Sequence, residues 1–162
     1  MDAGVIAQVG RPDQLYDDPV NRFVANFIGT VNLLPARVKD DGAQLTAVTQ
    51  TLGSVWIESN VFGDFIVPTA GYAAAGNQGE LAVRPLAMHL AAHGEAARPD
   101  DIVVEGRIID SEFMGEYVRY RVDTGTAQLT VDQSHRAHTP LFAAGAPVRI
   151  AVSPREFRYL PG

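Results

Sequence analysis

The sequence predicts a mainly β chain, built as one or two small antiparallel barrels or sandwiches and preceded by a short α-helical arm. Three observations predict it. Glycine and proline, fifteen and ten in number, are spread along the chain, and frequent punctuation suits many short strands better than a few long helices. From residue 31 onward apolar and polar residues alternate: Val118, Tyr120 and Val122 interleave with Tyr117, Arg119 and Arg121. That period of two belongs to a strand with one face covered and one face wet. Residues 1–30 have a different texture, with proline-initiated turns and apolar residues at helical spacing.

Taken in order, Val5 to Val9, between Gly4 and Gly10, reads as a short strand. Pro12 opens a helical turn in the first-turn position it tolerates, and Pro19 ends that turn. Asn21 is placed to N-cap a second helix from Arg22 to Ile28. In that helix Phe23, Val24, Phe27 and Ile28 form one apolar stripe, which must be covered by the chain's own core or by a partner. Gly29 suits the helix C-terminus. Strands are predicted at 33–39, 43–49, 54–59, 61–67, 79–84, 102–112, 116–123, 126–132, 147–153 and 156–160. Asp41-Gly42 is a hairpin signal between the first two. Asp123-Thr124-Gly125-Thr126 turns the chain into Leu129 and Val131, and Val148, Ile150 and Val152 repeat the alternation. Residues 91–101, rich in alanine, glycine and charge, read as a linker. The expected organisation is therefore an arm, 1–30, and a β domain, 31–162, with possible lobes at 31–90 and 102–162.

A chain of 162 residues, 46% apolar and 20% charged, is long enough to bury a core and is not disordered by composition. There is no cysteine, so disulfides, thiolate metal sites and cysteine nucleophiles are excluded. The net charge of −6 argues against a nucleic-acid partner. No apolar run approaches the roughly 18 residues of a membrane span. Met1-Asp2-Ala3-Gly4 lacks the charged and apolar regions of a signal peptide.

The residues that carry chemistry elsewhere have plainer readings here. Gly4 to Gly10-Arg11 lacks the spacing and the Lys-Ser/Thr of a phosphate loop, and no G-x-S-x-G elbow occurs. His89 and His93, and His135 and His138, have helical metal-ligand spacing but sit among strand and loop signals. The acidic pairs Asp17-Asp18, Asp40-Asp41 and Asp100-Asp101 read as solvated turn residues. Arg119 and Arg121 with Tyr117 and Tyr120 have the texture of an oligonucleotide-binding face. The plain alternative pairs the arginines with Glu112 or Glu116.

Gly4-Val5-Ile6-Ala7-Gln8-Val9-Gly10-Arg11-Pro12-Asp13-Gln14-Leu15-Tyr16-Asp17-Asp18-Pro19, then Phe23-Val24-Ala25-Asn26-Phe27-Ile28-Gly29 and Asn32, resembles the end of the nucleotide-binding domain in bacterial ABC importer ATPases of the maltose, polyamine and iron(III) type. The family pattern is roughly G-x-I-x-Q-x-G-x-P-x-x-(I/L)-Y-x-x-P followed by F-V-A-x-F-I-G-x-x-N. The positions carrying it are Gln8, Gly10, Pro12, Tyr16, Pro19, Phe23, Val24, Phe27, Ile28, Gly29 and Asn32. Leu81-Ala82-Val83-Arg84-Pro85 resembles the family's strand ending in V-R-P, with Leu86 where a glutamate is usual. Phe113-Met114-Gly115 resembles the hydrophobe-x-Gly of a later turn, and Gly145 with Pro147 and Val148 a late G-x-x-V.

The resemblance implies that a β-rich accessory domain called TOBE, made of small oligonucleotide-binding-like (OB-like) barrels, follows the arm. It implies that Walker A, the signature sequence, Walker B and the switch histidine belong to a parent ATPase ahead of this segment. The chain itself is expected to have no ATPase activity and no catalytic, cofactor or metal residues, with ATP and Mg²⁺ confined to the parent. The leading expectation is a regulatory and dimerisation domain. Its partners would be a second copy of itself, the parent's nucleotide-binding domain and, through the parent, the membrane permease. That places it in the cytoplasm, peripheral to the inner face of the membrane. The alternatives are an oxyanion-type ligand sensor, to which Thr46, Thr49, Thr51 and Ser54 would contribute, and a nucleic-acid-binding barrel.

Overall fold

The computed structural model describes residues 4–39, 54–68 and 76–162. The predicted strand 43–49, the Asp41-Gly42 turn, Asp40-Asp41 and Thr46, Thr49 and Thr51 lie outside these residues. Among the described residues two short helices, α1 (Pro12–Asp17) and α2 (Arg22–Ile28), precede ten strands. The strands are β1 (Asn32–Val38), β2 (Ser54–Ser59), β3 (Gly63–Pro68), β4 (Gln78–Val83), β5 (His89–Ala92), β6 (Ile102–Phe113), β7 (Tyr117–Asp123), β8 (Gln128–Ser134), β9 (Pro147–Val152) and β10 (Phe157–Pro161). Single 3₁₀ turns stand at Pro85–Ala87 and Pro154–Glu156. The predicted architecture, mainly β with small antiparallel OB-like barrels after a helical arm, is the one observed.

The chain forms two compact units, Met1–Ala82 with Phe157–Gly162, and Val83–Glu156. The first holds a five-stranded sheet of order β10-β4-β1-β2-β3. Its edge strands β10 and β3 meet, so the sheet curls into a half-barrel. Phe157 on β10 packs against Phe65 of β3 and Phe62, with ring centroids 4.9 Å apart in both cases. The alternation of β1 buries Leu34, Ala36 and Val38 beneath exposed Pro35 and Arg37. Ala25 of α2 joins this unit's core with Ala82 and Leu160. At Gly79 an added Cβ would lie 2.4 Å from the Leu160 carbonyl oxygen, so only glycine lets β4 and β10 approach this closely.

The second unit holds the sheet β5-β9-β6-β7-β8. Val118, Tyr120 and Val122 of β7, Leu129 and Val131 of β8, and Val148 and Ile150 of β9 fill its core. The β6–β7 pairing slips between Ile108 and Asp110, a bulge that bends the 12-residue strand. The turn between them places Gly115 at φ 93°, in the left-handed region glycine occupies without strain. The edges β5 and β8 also come into contact.

Several expectations are corrected. Of residues 5–9 only Val5 makes an isolated bridge, because the Gln8 side chain, not a ladder, ties this segment down. Residues 60–62 form a turn rather than the start of a strand: Ser59 Oγ accepts the N–H groups of Val61 and Phe62, and Gly63 follows at φ 77°. The strand predicted at 126–132 begins at Gln128, since Thr124 bonds across to Ala127 and Asp123 accepts the Gly125 N–H. Residues 91–101, read as a linker, begin inside β5 and lie wholly within the second unit, while β10 belongs to the first. The compact units therefore do not divide at 90/102.

Tyr159 illustrates the polar accounting of this core. It is fully buried on β10, and its hydroxyl donates to the Asn77 carbonyl at 3.2 Å. Burial raises its pKa above the ordinary 10.0. The unfolded phenol therefore ionises first, and the folded chain retains more protons above pH 10, so stability falls as pH rises past that value. Tyr159→Phe is expected to flatten this alkaline limb while costing about 1 kcal/mol at neutral pH for the lost hydrogen bond. Urea midpoints measured between pH 7 and 11 check both parts.

Candidate interaction surface

The arm and the groove beside it collect most of the residues singled out from the sequence. Gln8 bridges the segment on either side of buried Pro19: its Nε2 donates to the Asp18 carbonyl at 3.1 Å, and its Oε1 accepts the Val20 N–H at 3.1 Å. Pro12 occupies the first position of α1, and the Arg11 N–H bonds Gln14 Oε1 at 3.2 Å. Gly10 fits because an added Cβ would stand 3.3 Å from that same oxygen. Gly29 packs beside the Tyr16 ring, its nearest neighbour for an added Cβ at 3.9 Å. Asn21 caps α2, accepting the Val24 N–H at 2.9 Å. Arg158 of β10 donates to Asp18 at 2.7 Å, and Arg22 to Glu80 of β4 at 2.9 Å, so two ion pairs moor the arm to its sheet.

The apolar stripe of α2 is split. Val24 and Ala25 face the core, Phe23 and Ile28 are half-buried, and Phe27 is 75% exposed with its ring stacked on Phe23 at 5.9 Å. A seven-residue helix against one sheet edge covers a single face, and Ala25 takes the central place that the spacing had given to the phenylalanines. Gly29 has φ 165°, extended rather than left-handed, so the chain runs on towards β1 instead of folding back. Beside α2 lies a groove of about 910 Å³, floored by Gly79 and Pro161 and rimmed by Phe23, Phe27, Arg22 and Glu80. Val5, Ile6 and Val9 of the arm are also exposed. Asn32 is buried at the start of β1.

In the second unit Arg84 precedes the 3₁₀ turn, and Pro85, buried, is its first residue. Leu86, at the glutamate position of the family pattern, is exposed. The basic and aromatic face is neutralised. Arg119 forks onto Asp132, with both contacts at 2.8 Å, and Arg121 forks onto Asp110, so the partners are aspartates rather than Glu112 or Glu116. These bonds raise the pKa of both guanidinium groups and hold the Asp110 carboxyl below its ordinary range. Tyr120 is buried. His89 is exposed on β5, His93 bonds Glu105 at 3.1 Å, and His135 meets the edge of Phe113. Among the described residues no group of three His, Cys, Asp or Glu could hold a metal ion. The helix that follows Gly4 to Arg11 begins with proline and carries no lysine.

The fold, the moored arm and the paired β7 face describe a β-rich module with a short helical arm, and known proteins show that it belongs to the ATP-binding subunits of ABC importers. Residues 81–160 match the TOBE domain family. The chain is similar to the C-terminal region of ABC importer ATP-binding subunits. It is 34% identical over 126 residues to the spermidine/putrescine import ATP-binding protein PotA of Nitrosomonas eutropha, covering 76% of this chain and 31% of that protein. It is 33% identical to the PotA of Ruegeria pomeroyi, covering 94% of this chain and 37% of that protein. With the Fe(3+) ions import ATP-binding protein FbpC of Rhizobium etli it shares 31% identity, over 81% of this chain and 32% of that protein. The chain thus spans about a third of the length of these relatives. Among solved structures, the cytoplasmic molybdate-binding protein ModG has the same fold, with a TM-score of 0.59 at 14% identity, covering 78% of this chain and 92% of that one. Among the described residues no helix is long and apolar enough to cross a membrane.

Proposed function

We propose that this chain is the regulatory and dimerisation region of an importer's ATP-binding subunit, and that it performs no ATP hydrolysis itself. The observation that carries the reading is similarity of 31–34% to import ATP-binding proteins across most of the chain. The exposed apolar residues of the arm support it: Val5, Ile6, Val9 and Phe27 each present apolar surface that packing on a nucleotide-binding domain would cover. In this reading the parent binds ATP and Mg²⁺, couples hydrolysis to solute uptake and meets the permease at the inner face of the membrane. The half-barrels hold two subunits together while the nucleotide domains open and close, which asks for a self-complementary patch on a rigid β module. The relatives' names divide between polyamines and iron(III), so the reading stops at the importer class.

The chain is accordingly expected to self-associate as a two-fold dimer through its β units. Apolar burial at about 25 cal/mol per Å² lets a moderate patch drive this. Sedimentation of the wild type and of Phe27→Asp tests it. A dimer in both supports contact through the half-barrels. A dimer lost in Phe27→Asp assigns the contact to the arm, by placing an unpaired charge in it. A wild-type monomer at about 100 μM overturns self-association.

A further inference from the structure

The arm changes character at Pro19. No residue from 4 to 18 is buried, and α1 contributes none of its residues to a core. From Pro19 onward the attachment is apolar. Pro19, Val24 and Ala25 are buried, and Ala25 sits in a core cluster with Ala82 and Leu160. By its packed side α2 is therefore part of the first unit. Residues 4–18 are tied down by polar groups instead. Gln8 spans the junction, its Nε2 donating to the Asp18 carbonyl and its Oε1 accepting the Val20 N–H, both at 3.1 Å. The Asp18 carboxylate accepts from Arg158 at 2.7 Å. The Tyr16 ring reaches Gly29 and stays partly exposed. Val5, Ile6 and Val9 meanwhile lie in water. Polar ties with exposed apolar side chains are the reverse of what fastens an element permanently.

Little is stranded when these ties break. The Gln8 bonds lie at the surface and the Asp18 side chain is mostly exposed, so water replaces their partners. Arg158 keeps its bond to the Phe157 carbonyl at 2.8 Å. The Arg22–Glu80 pair belongs to α2 and is untouched. Pro19 stays anchored with its φ fixed by the ring, so rotation at Asp18 moves what precedes it and nothing that follows. A helix as short as α1 does not persist once it leaves its support, so release also melts it. Few buried apolar contacts and surface hydrogen bonds are the marks of a segment that opens by itself, ahead of the core.

We propose that residues 4–18 form a releasable strap that opens at the Asp18–Pro19 junction, with Gln8 as its latch, while α2 stays on the first sheet. Its use rests on the function proposed above: the joint between a nucleotide-binding domain and the first unit then lies ahead of α2, not at its end. The test uses the chain alone, so the strap is decided by hydrogen exchange and the assembly, separately, by sedimentation. Exchange is followed amide by amide in the labelled chain. The Val20 N–H reports the latch, because Gln8 is its acceptor. Leu15 and Asp18, bonded to the Arg11 and Gln14 carbonyls, report α1, and Ala25, bonded to the Asn21 carbonyl, reports α2. We expect Leu15, Asp18 and Val20 to share one opening constant, at least about tenfold larger than that of Ala25. In Gln8→Ala the Val20 N–H loses its acceptor outright, so the reading is taken at Leu15 and Asp18. Their opening constant should rise about fivefold with Ala25 unchanged. Asp18→Ala, which removes the ion pair without touching the sheet, should raise that of Leu15 and Val20 about threefold. Equal opening of Ala25, Leu15 and Val20 in the wild type overturns the proposal, since the arm would then open as a whole. So does a Gln8→Ala variant that leaves Leu15 and Asp18 as protected as before, or that quickens Ala25 as much as Leu15.

Discussion

Phe157→Ala is expected to lower stability by about 4 kcal/mol, in the upper range for truncation of a buried aromatic residue. The side chain is fully buried, and its ring meets Phe62 at 66° and Phe65 at 59°, both at 4.9 Å. These tilted contacts add to the area buried. The cavity left behind would not collapse easily. Phe62 is fixed by the turn on Ser59 Oγ, and Phe65 by its pairing with Ile57. The position is also where β10 meets β3, so the loss falls on the seam that curls the first sheet. Trp56, the single tryptophan, lies on β2 of the same unit and reports its unfolding by fluorescence. Urea titrations of Phe157→Ala and Phe157→Leu give the comparison. A loss below about 1.5 kcal/mol for the alanine variant would show that the seam repacks.

Arg119→Met is expected to cost about 3 kcal/mol, although the arginine itself is partly solvated. The reason lies in its partner. The Asp132 side chain is only 5% exposed, and both of its oxygens are bonded by the Arg119 fork. Removing the guanidinium leaves a buried carboxylate uncompensated, which is worse than having no pair. The double variant Arg119→Met/Asp132→Leu should therefore recover most of the loss. The measurement is a double-mutant cycle on urea unfolding, with a strongly favourable coupling between the two sites. A near-neutral Arg119→Met would mean that water reaches Asp132 when the arginine leaves. The exposed fork between Arg121 and Asp110 is the internal control, because pairs in solvent contribute little.

Legibility followed burial contrast. β7 could be read because valine and tyrosine alternate with arginine across a sheet wet on one side, and β2 because its bounds coincide with turn residues. β5 could not, since His89-Leu90-Ala91-Ala92 has only four residues and alanine marks neither strand nor loop strongly. Its neighbours' composition made the whole stretch look like a linker. The allegiance of β10 was also hidden. Phe157 to Pro161 signals a buried strand, but nothing local says that it pairs with β4 rather than with β9, which precedes it. Among the arm residues, Asn21 announced its cap by type and place. Gln8 carried no local signal of its bridging role, because its partners lie 10 and 12 residues away and are main-chain groups. Phe27 misled, as spacing gives the face of a helix but not which edge of a broad stripe the sheet will cover.

The return of β10 to the first sheet has a consequence for the order of assembly. Residues 83–156 are contiguous and contain every strand of their own sheet, together with Val83, the last residue of β4, which pairs in the other sheet. The first sheet needs β10 beside β4, two segments separated by the whole of that contiguous stretch. On a ribosome, the later-made half-barrel is therefore complete before the earlier-made one can be. Closing so long a loop is entropically unfavourable until the intervening residues have folded and drawn its ends together. The second half-barrel thus acts as a folded clip on a nascent chain, and the first waits with an open β4 edge until Phe157 to Pro161 arrive. During that interval the unpaired edge of β4 is the part of the molecule most open to mispairing with another chain.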